Sequence, residues 1–351
     1  MTKRFERSLD IKNGRVDMTH GSGGRAMAQL IEQMFAKAFD NPALAEGNDQ
    51  ARLTLPMVNG KAPRLAFSTD SYVISPLFFP GGNIGSLAVH GTVNDVAMAG
   101  AKPLWLSAGF ILEEGFPLAD LADIIETMAS AAKECGVQIV TGDTKVVEKG
   151  KADGVFINTA GVGVFDESLD LSTHNIKVGD AILVSGTLGD HGVAVMAERE
   201  KLVFDEPVLT DSAPLNGLIE AMVKSGVELH ALRDPTRGGL ATTLNEMAQS
   251  ASVGMRLEEA AIPVRPSVRG VCEILGLDPL YIANEGKLIA FCPAAQAEKL
   301  LAVMRLHREG RNAAIIGTVV EDENNFVEMK TSFGGNRMVD WLAGEQLPRI
   351  C

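Results

Sequence analysis

The chain has 351 residues, 46% of them hydrophobic and 22% charged, a globular composition with apolar mass for two cores of ordinary size. Its formal net charge of −13 argues against nucleic acid or an anionic membrane as partner. No apolar run is long enough to span a bilayer, MTKRFERSLD lacks the apolar core of a secretory signal, and cysteines 135, 272, 292 and 351 show no metal or redox spacing, so reduced thiols and a cytoplasmic address are expected.

Residues 1–24 are polar and glycine-rich, and 25–39 repeats apolar positions at helical spacing. A buried strand is expected over 64–74, a helix over 84–99, a strand over 106–113, and a helix over 118–135 that stops at Gly136, a usual C-cap. Strands follow at 137–141 and 155–165, and the polar, turn-rich stretch 166–179 marks a domain boundary. The second half opens with a strand over 181–185, a Gly-rich loop and a helix near 193–199. Helices over 214–225 and 239–250 and strands near 253–257, 287–291, 313–320 and 326–330 complete it. Strands and helices alternate without a strict βαβ series, so the expected class is α/β (α+β), two mixed α/β domains and a flexible tail. The expected divisions are 1–41 (Gly-rich segment and helix), 42–170 and 171–343 (the two domains), and 344–351, GEQLPRIC, leaving the globule.

Asp70 ends an apolar strand in FSTDSYVI, Asn94 and Asp95 lie in GTVNDVAMAGAKP, and Asp143 follows a strand in IVTGDTKVV. Oxygen ligands at strand ends and inner helix faces suit Mg²⁺, which also keeps waters and phosphate oxygens. Asp95 is the most telling, because an unpaired charge among Val93, Val96, Ala97 and Met98 is costly. Asp70 alone reads as a turn or helix cap; three such sites in one domain favour the metal.

Two glycine-rich turns precede helices: THGSGGRAM, with Gly21, Gly23, Gly24 and Arg25, and SGTLGDHGVAV, with Gly189, Asp190 and His191. Free N–H groups at a helix start suit a phosphate. Neither turn has Walker A or dinucleotide spacing, and a plain turn is the alternative for each. RDPTRGGLATTLNEMA adds Asp234 and Arg237, the latter a candidate phosphate clamp. An N-cap turn explains its Asp and glycines but leaves Arg237 unused. Lys145 lies two residues after Asp143, so an extended chain points both the same way. Glu285 stands in ANEGKLIAF on a turn before a strand. By spacing alone Lys145 and Glu285 read as solvated charges. Cys351 is an accessible thiol on a tail whose eight residues sweep roughly 25–28 Å when extended.

In order along nearly the whole chain, THGSGGR, FSTDSYV, NDVAMAGAKP, TGDTKVV, DPTRGG, ANEGKL and the ending PRIC resemble the ATP-dependent superfamily of aminoimidazole ribonucleotide synthetase. Within it, the resemblance is to the hydrogenase-maturation carbamoyl dehydratases. This implies ATP and Mg²⁺ as cofactors, with metal on Asp70, Asp95, Asp143 and Asp234. It implies nucleotide contacts from both Gly-rich turns, Asn94, Gly142, Thr144 and Arg237. It also implies a homodimer whose first domains pair their sheets, 42–170 being the ATP-binding and dimerisation domain.

The same resemblance implies catalysis by Cys351, Lys145 and Glu285. A partner carbamoyltransferase loads a carbamoyl group on the Cys351 thiol. ATP phosphorylates the carbamoyl oxygen, with Lys145 stabilising the transferred charge and Glu285 removing a proton. The resulting thiocyanate passes cyanide to iron on a maturation scaffold complex serving a nickel–iron hydrogenase. The rival within the superfamily is a sister phosphotransferase; outside it, a non-enzymatic scaffold that only delivers a thiol-bound group.

Overall fold

The computed structural model describes residues 8–22, 25–45, 51–165, 168–202, 204, 206–342 and 349–351. Its first half contributes β1 (Arg64–Tyr72), a small hairpin of β2 (Phe78–Phe79) and β3 (Gly82–Asn83), then β4 (Lys102–Glu113), β5 (Gln138–Val147) and β6 (Val155–Phe165). Strands β1, β6, β4 and β5 form a sheet in that order, antiparallel except for the β4–β5 pair. Period-two alternation turns Leu106, Ala108, Phe110 and Leu112 of β4 into a core with the helices Ile84–Met98 and Leu118–Cys135. On the opposite face Leu65, Phe67 and Ile111 are exposed, and none of the described elements covers them.

The helix Ile84–Met98 starts at Asn83, whose side chain accepts from the Gly85 and Ser86 N–H groups while the Ser86 hydroxyl answers the Asn83 N–H. Gly85 is where this helix crosses Leu118–Cys135: a Cβ there would stand 2.3 Å from the Ile124 carbonyl oxygen. All of the helix is buried except Asp95, because its sides meet the sheet, the neighbouring helix and the second domain.

The second half supplies β7 (Asp180–Val184), β8 (Ala231–Arg233), β9 (Gly254–Glu258), β10 (Ile289–Pro293), β11 (Ala314–Val320), β12 (Val327–Lys330) and β13 (Asn336–Met338). They form one sheet in the order β13-β12-β9-β11-β7-β10-β8, with β9–β12 its parallel pair. β7 is apolar throughout its interior because both its faces are covered. Ala181 and Leu183 meet the helices Asn216–Lys224 and Ala297–Arg305, and Ile182 and Val184 meet Gly239–Ala251. Ala97 and Met98 of the first-domain helix enter the former cluster, so the two halves share a core.

Several features depart from the sequence expectation; β5 continues to Val147, so Asp143 lies within the strand instead of after it. The helix over 25–39 is broken into Arg25–Leu30, a π turn Ile31–Phe35 and Ala36–Ala38. β4 begins at Lys102, because pairing with β6 carries the strand back past Pro103. The helix Pro266–Leu275, for which the sequence carries no expectation, has Pro266 in its first turn, where the missing N–H costs nothing. The helix Ala297–Arg305 and the edge strands β8 and β13 are further elements beyond that expectation. No helix among the described residues is long and apolar enough to cross a membrane.

Candidate active site

Where the two halves meet, β1, the helix Ile84–Met98 and the loops after β8 and before β10 enclose a cleft of about 630 Å³, lined by Asp70, Asp95, Asp234 and Glu285. Ser68, two residues before Asp70 on the same side of β1, donates its hydroxyl to Asp95 Oδ2 at 2.8 Å. Burial pushes the Asp95 carboxyl up, and the Asp70 charge adds to it. Asp234 is raised to about 7, by burial and then by Asp95. Glu285 is buried and stands well above the usual carboxylate range, first through burial and then through the charges of Asp211, Asp234, Asp70 and Asp95. Its Oε1 is enclosed without a hydrogen-bond partner.

Carboxyls that raise one another mark a site short of positive charge, and an all-oxygen set suits Mg²⁺. Among the described residues no three carboxylate, His or Cys side chains are close enough to chelate an ion by themselves. The arrangement fits an ion that completes its shell with waters and phosphate oxygens.

Asp143 and Lys145 stand apart, so within one chain Asp143 does not reach an ion held by Asp70, Asp95 and Asp234. Asp70 pairs across β6 with Thr159, Thr159 with Ala108 on β4, and Ala108 with Gly142 on β5. Three strand spacings separate the two edges by about 14 Å. Asp143, one residue beyond Gly142, is also on the opposite face, with Ile111 and Lys145. There Lys145 Nζ lies 2.7 Å from both Asp143 carboxylate oxygens, and its hydrogen bonds hold that carboxyl below its usual range. Gly142, Asp143 and Thr144 line a separate pocket of about 170 Å³ with Met27, Phe35 and Phe110. Gly21 packs against β5 nearby, where a Cβ would stand 2.8 Å from Val146. Gly23 and Gly24 lie outside the described residues, as does the Arg25 side chain, although Arg25 opens its helix.

The tail returns to the carboxylate cleft. Val73 N–H donates to the backbone oxygen of Cys351 at 3.3 Å and Ser75 N–H to Arg349 O at 3.2 Å, continuing the edge of β1. Arg349 Nε donates to Val73 O at 2.9 Å, and its other arm meets Asp153. Ile350 is 3% exposed and joins the first core. Burial pushes the Cys351 thiol up to about 12, Glu285 and Asp70 adding to it, while the Arg237 guanidinium pulls it down. The thiol thus sits between Glu285, Asp70 and Arg237. Burying one Ile side chain is worth about 1.5–3 kcal/mol and each hydrogen bond about 0.5–1.5. Ordering three residues costs roughly 1–2 kcal/mol each. The gains exceed the cost by a few kcal/mol at most, which favours the docked tail.

The second Gly-rich turn holds the protein together rather than offering free donors. Gly189 has φ 84°, and its N–H donates to Asn284 Oδ1 at 2.8 Å. Asp190 is buried, with its carboxylate 3.3 Å from Arg265 and hydrogen-bonded by Thr187. His191, fully buried, faces Thr210 Oγ1 and the carbonyl of Ile350, each at 2.8 Å. These three corrections share one cause: the polar groups expected to meet phosphate are spent on the fold and the tail. Asn94 is a fourth. Its Oδ1 accepts from Leu215 N–H at 2.8 Å, and its Nδ2 donates to Ala213 O and Glu285 O. Arg237 stays exposed and reaches the Cys351 thiol, where its guanidinium is open to an anion.

Three residues had no distinct signal in the sequence. Asp211, in a loop without pattern, accepts the Glu285 N–H at 3.0 Å and pairs with Lys287 at 3.0 Å. Asn284, inside ANEGKL, ties the turn at Gly189 to Pro235 O. Arg199, at the end of a helix, reaches the tail.

Residues 47–165 match the model of the AIR synthase related protein N-terminal domain and 177–330 that of its C-terminal domain, which makes this a two-domain chain of the AIR synthase-related class. The chain is 64% identical over 343 residues to carbamoyl dehydratase HypE of Azotobacter vinelandii, with 98% of this chain and 99% of that one covered. It superimposes on the crystal structure of hydrogenase maturation protein HypE in complex with ATP with a TM-score of 0.90 at 51% identity, over 95% of this chain and 99% of the other. Against a chain of a HypE–HypF complex the TM-score is 0.77 at 50% identity, covering 89% and 99%. The chain belongs to the carbamoyl dehydratase HypE family.

Proposed function

We propose that the protein is an ATP-dependent carbamoyl dehydratase of hydrogenase maturation that works on its own Cys351. The observation that carries this reading is that the tail docks on the edge of β1, with the Cys351 thiol close enough to Glu285, Asp70 and Arg237 for their charges to act on it. Family membership and the ATP complex of a relative support it.

In this reading Cys351 is carbamoylated to a thiocarbamate. The carbamoyl oxygen takes the γ-phosphoryl group of ATP, one N–H proton leaves, and ADP is released. Loss of phosphate and the second N–H proton then leaves a thiocyanate, so the sum is removal of one water. Amide oxygen is a poor leaving group and phosphate a good one, which is why ATP is required. Mg²⁺ held by Asp70, Asp95 and Asp234 would supply positive charge for the phosphates. Glu285, deprotonated once a cation relieves its neighbours, is the base for the amide protons. Arg237 holds an anionic oxygen beside the Cys351 thiol. Gly21, Gly142, Thr144, Asp143 and Lys145 form the second half of the nucleotide site.

That second half stands at the other edge of the sheet, and a homodimer would unite the two. The uncovered face with Leu65, Phe67, Ile111 and the Asp143–Lys145 pair is the surface a second copy would cover, with 42–170 as the dimerisation domain and 171–343 as the second domain. A carbamoyltransferase loads the thiol, a role that the HypE–HypF complex of relatives supports, and an iron-binding scaffold receives the cyanide. The whole cycle is placed in the cytoplasm. The test is phosphate release. Protein carbamoylated on Cys351 should release one phosphate from Mg-ATP per thiol, and Cys351→Ala none; equal release from both would leave only an idle ATPase.

A further inference from the structure

The geometry points to His191 and Arg199 as positioning residues that latch the tail and set when the Cys351 thiol is docked beside Glu285 and Arg237. This rests on the reading of Cys351 as the carrier thiol and adds to it the groups that govern its travel. Both residues come from the helix Asp190–Arg199, which belongs to neither the carboxylate cleft nor the Asp143–Lys145 face.

His191 stands in the first turn, with no exposure to solvent, and its Nε2 lies 2.8 Å from the carbonyl oxygen of Ile350. A carbonyl only accepts, so Nε2 carries the proton. Ser212 N–H donates to Thr210 Oγ1 at 3.0 Å, which leaves the Thr210 hydroxyl proton to reach His191 Nδ1 at 2.8 Å. The chain Ser212–Thr210–His191–Ile350 therefore fixes one tautomer and aims one donor at the tail. The ring of Phe79 meets the imidazole edge-on at 5.6 Å and holds its plane.

Arg199, in the last turn, reaches back along the helix, as long side chains do. Its Nη2 donates to Arg349 O at 2.9 Å, and its Nε donates to Ser75 O at 2.9 Å. One planar group thus bridges the tail and the segment the tail pairs with. The two anchors grip successive carbonyls, those of residues 349 and 350, and leave the residue that follows to place its thiol. Neither touches the thiol or the carboxylates. Each acts through the tail backbone alone, so both are indifferent to whether the sulfur is free, carbamoylated or cyanated. That is what a latch must be if every form of the carrier is to dock.

The test reads the accessibility of the thiol directly. Cys135, Cys272 and Cys292 are buried, so alkylation by iodoacetamide followed by peptide mass reports Cys351 against internal controls. Removal of one latch hydrogen bond should raise Cys351 labelling on the order of five- to tenfold in His191→Leu and in Arg199→Met, with labelling of the other three cysteines unchanged. His191→Gln keeps a donor at the same reach and should return labelling towards wild type. Arg199→Lys, at a half-exposed site that tolerates change, should fall between. In the same variants, dehydration of the cyanate-carbamoylated tail in a single turnover should slow, by less than the labelling rises because the docked fraction falls less than the undocked fraction grows, while ATP affinity holds. Labelling at the wild-type rate in both Arg199 variants would overturn the proposal. Because labelling needs no ATP, that result is distinct from a wild type that labels normally yet never dehydrates, which would sink the dehydratase reading instead.

Discussion

Lys145 Nζ lies 2.7 Å from both carboxylate oxygens of Asp143, on the opposite face of the sheet from Asp70 and about three strands away from it. No side chain is long enough to join the two groups within one chain, so a reaction that uses both needs two chains. Mixing inactive Lys145→Ala with inactive Glu285→Gln should then restore activity, to about a quarter of wild type for random C2 pairing. Mixtures that stay inactive after subunit exchange would confine the chemistry to one chain and remove Lys145 from it.

The cleft itself should show its hunger for positive charge. Asp234, at about 7, ionises later in the folded chain than in the unfolded one. Its neutral form therefore favours the fold at low pH, and that contribution fades as pH rises from about 4 through 7. A cation bound there reverses the penalty. Mg²⁺ should raise the thermal midpoint more at pH 8 than at pH 5.5, and Asp234→Asn should abolish the difference. An equal rise at both pH values would place the ion elsewhere.

Asn94 is a strut between the halves, with three hydrogen bonds, to 213, 215 and 285, the last two buried. Its replacement by Leu strands those backbone groups, at about 3 kcal/mol or more. The expected result is a thermal midpoint lower by several degrees with nucleotide affinity unchanged. A stable variant with weakened ATP binding would return Asn94 to the nucleotide site.

Gly286 follows the candidate base, and a Cβ on it would stand 1.8 Å from the backbone oxygen of Asp211 and 2.9 Å from Ala213 N. Both obstacles are main chain, so Gly286→Ala must shift the turn that carries Glu285. A displacement near 1 Å in a catalytic group costs about a hundredfold in rate. Turnover should fall by that order while ATP still binds; undiminished turnover would show that Glu285 is not a base held by this turn.

Much of the fold was legible because burial leaves a period. The helix over 118–135 and the strand over 155–165 follow directly from alternation and caps, down to Gly136. Asp95 was legible as an anomaly, a charge in a helix otherwise buried. The Gly-rich turn at Gly189 misled for a physical reason. A turn that offers its N–H to phosphate and one that offers it to Asn284 have the same residues, and only tertiary contact tells them apart. Lys145 and Asp143 were read as pointing the same way, and they do. What spacing did not give was the face they point to, since the order of strands in a sheet is set by pairing across the chain. Arg199 and Asp211 left no trace because their partners, backbone atoms for Arg199 and the Glu285 N–H and the Lys287 side chain for Asp211, are distant in sequence.

The central claim is that Cys351 loses water, as a thiocarbamate, at the expense of ATP. Protein carbamoylated with cyanate, incubated with Mg-ATP and digested, should give a peptide carrying Cys351 lighter by one water, and Glu285→Gln should retain the carbamoyl mass. A carbamoyl group that stays intact while ATP is consumed would contradict the account.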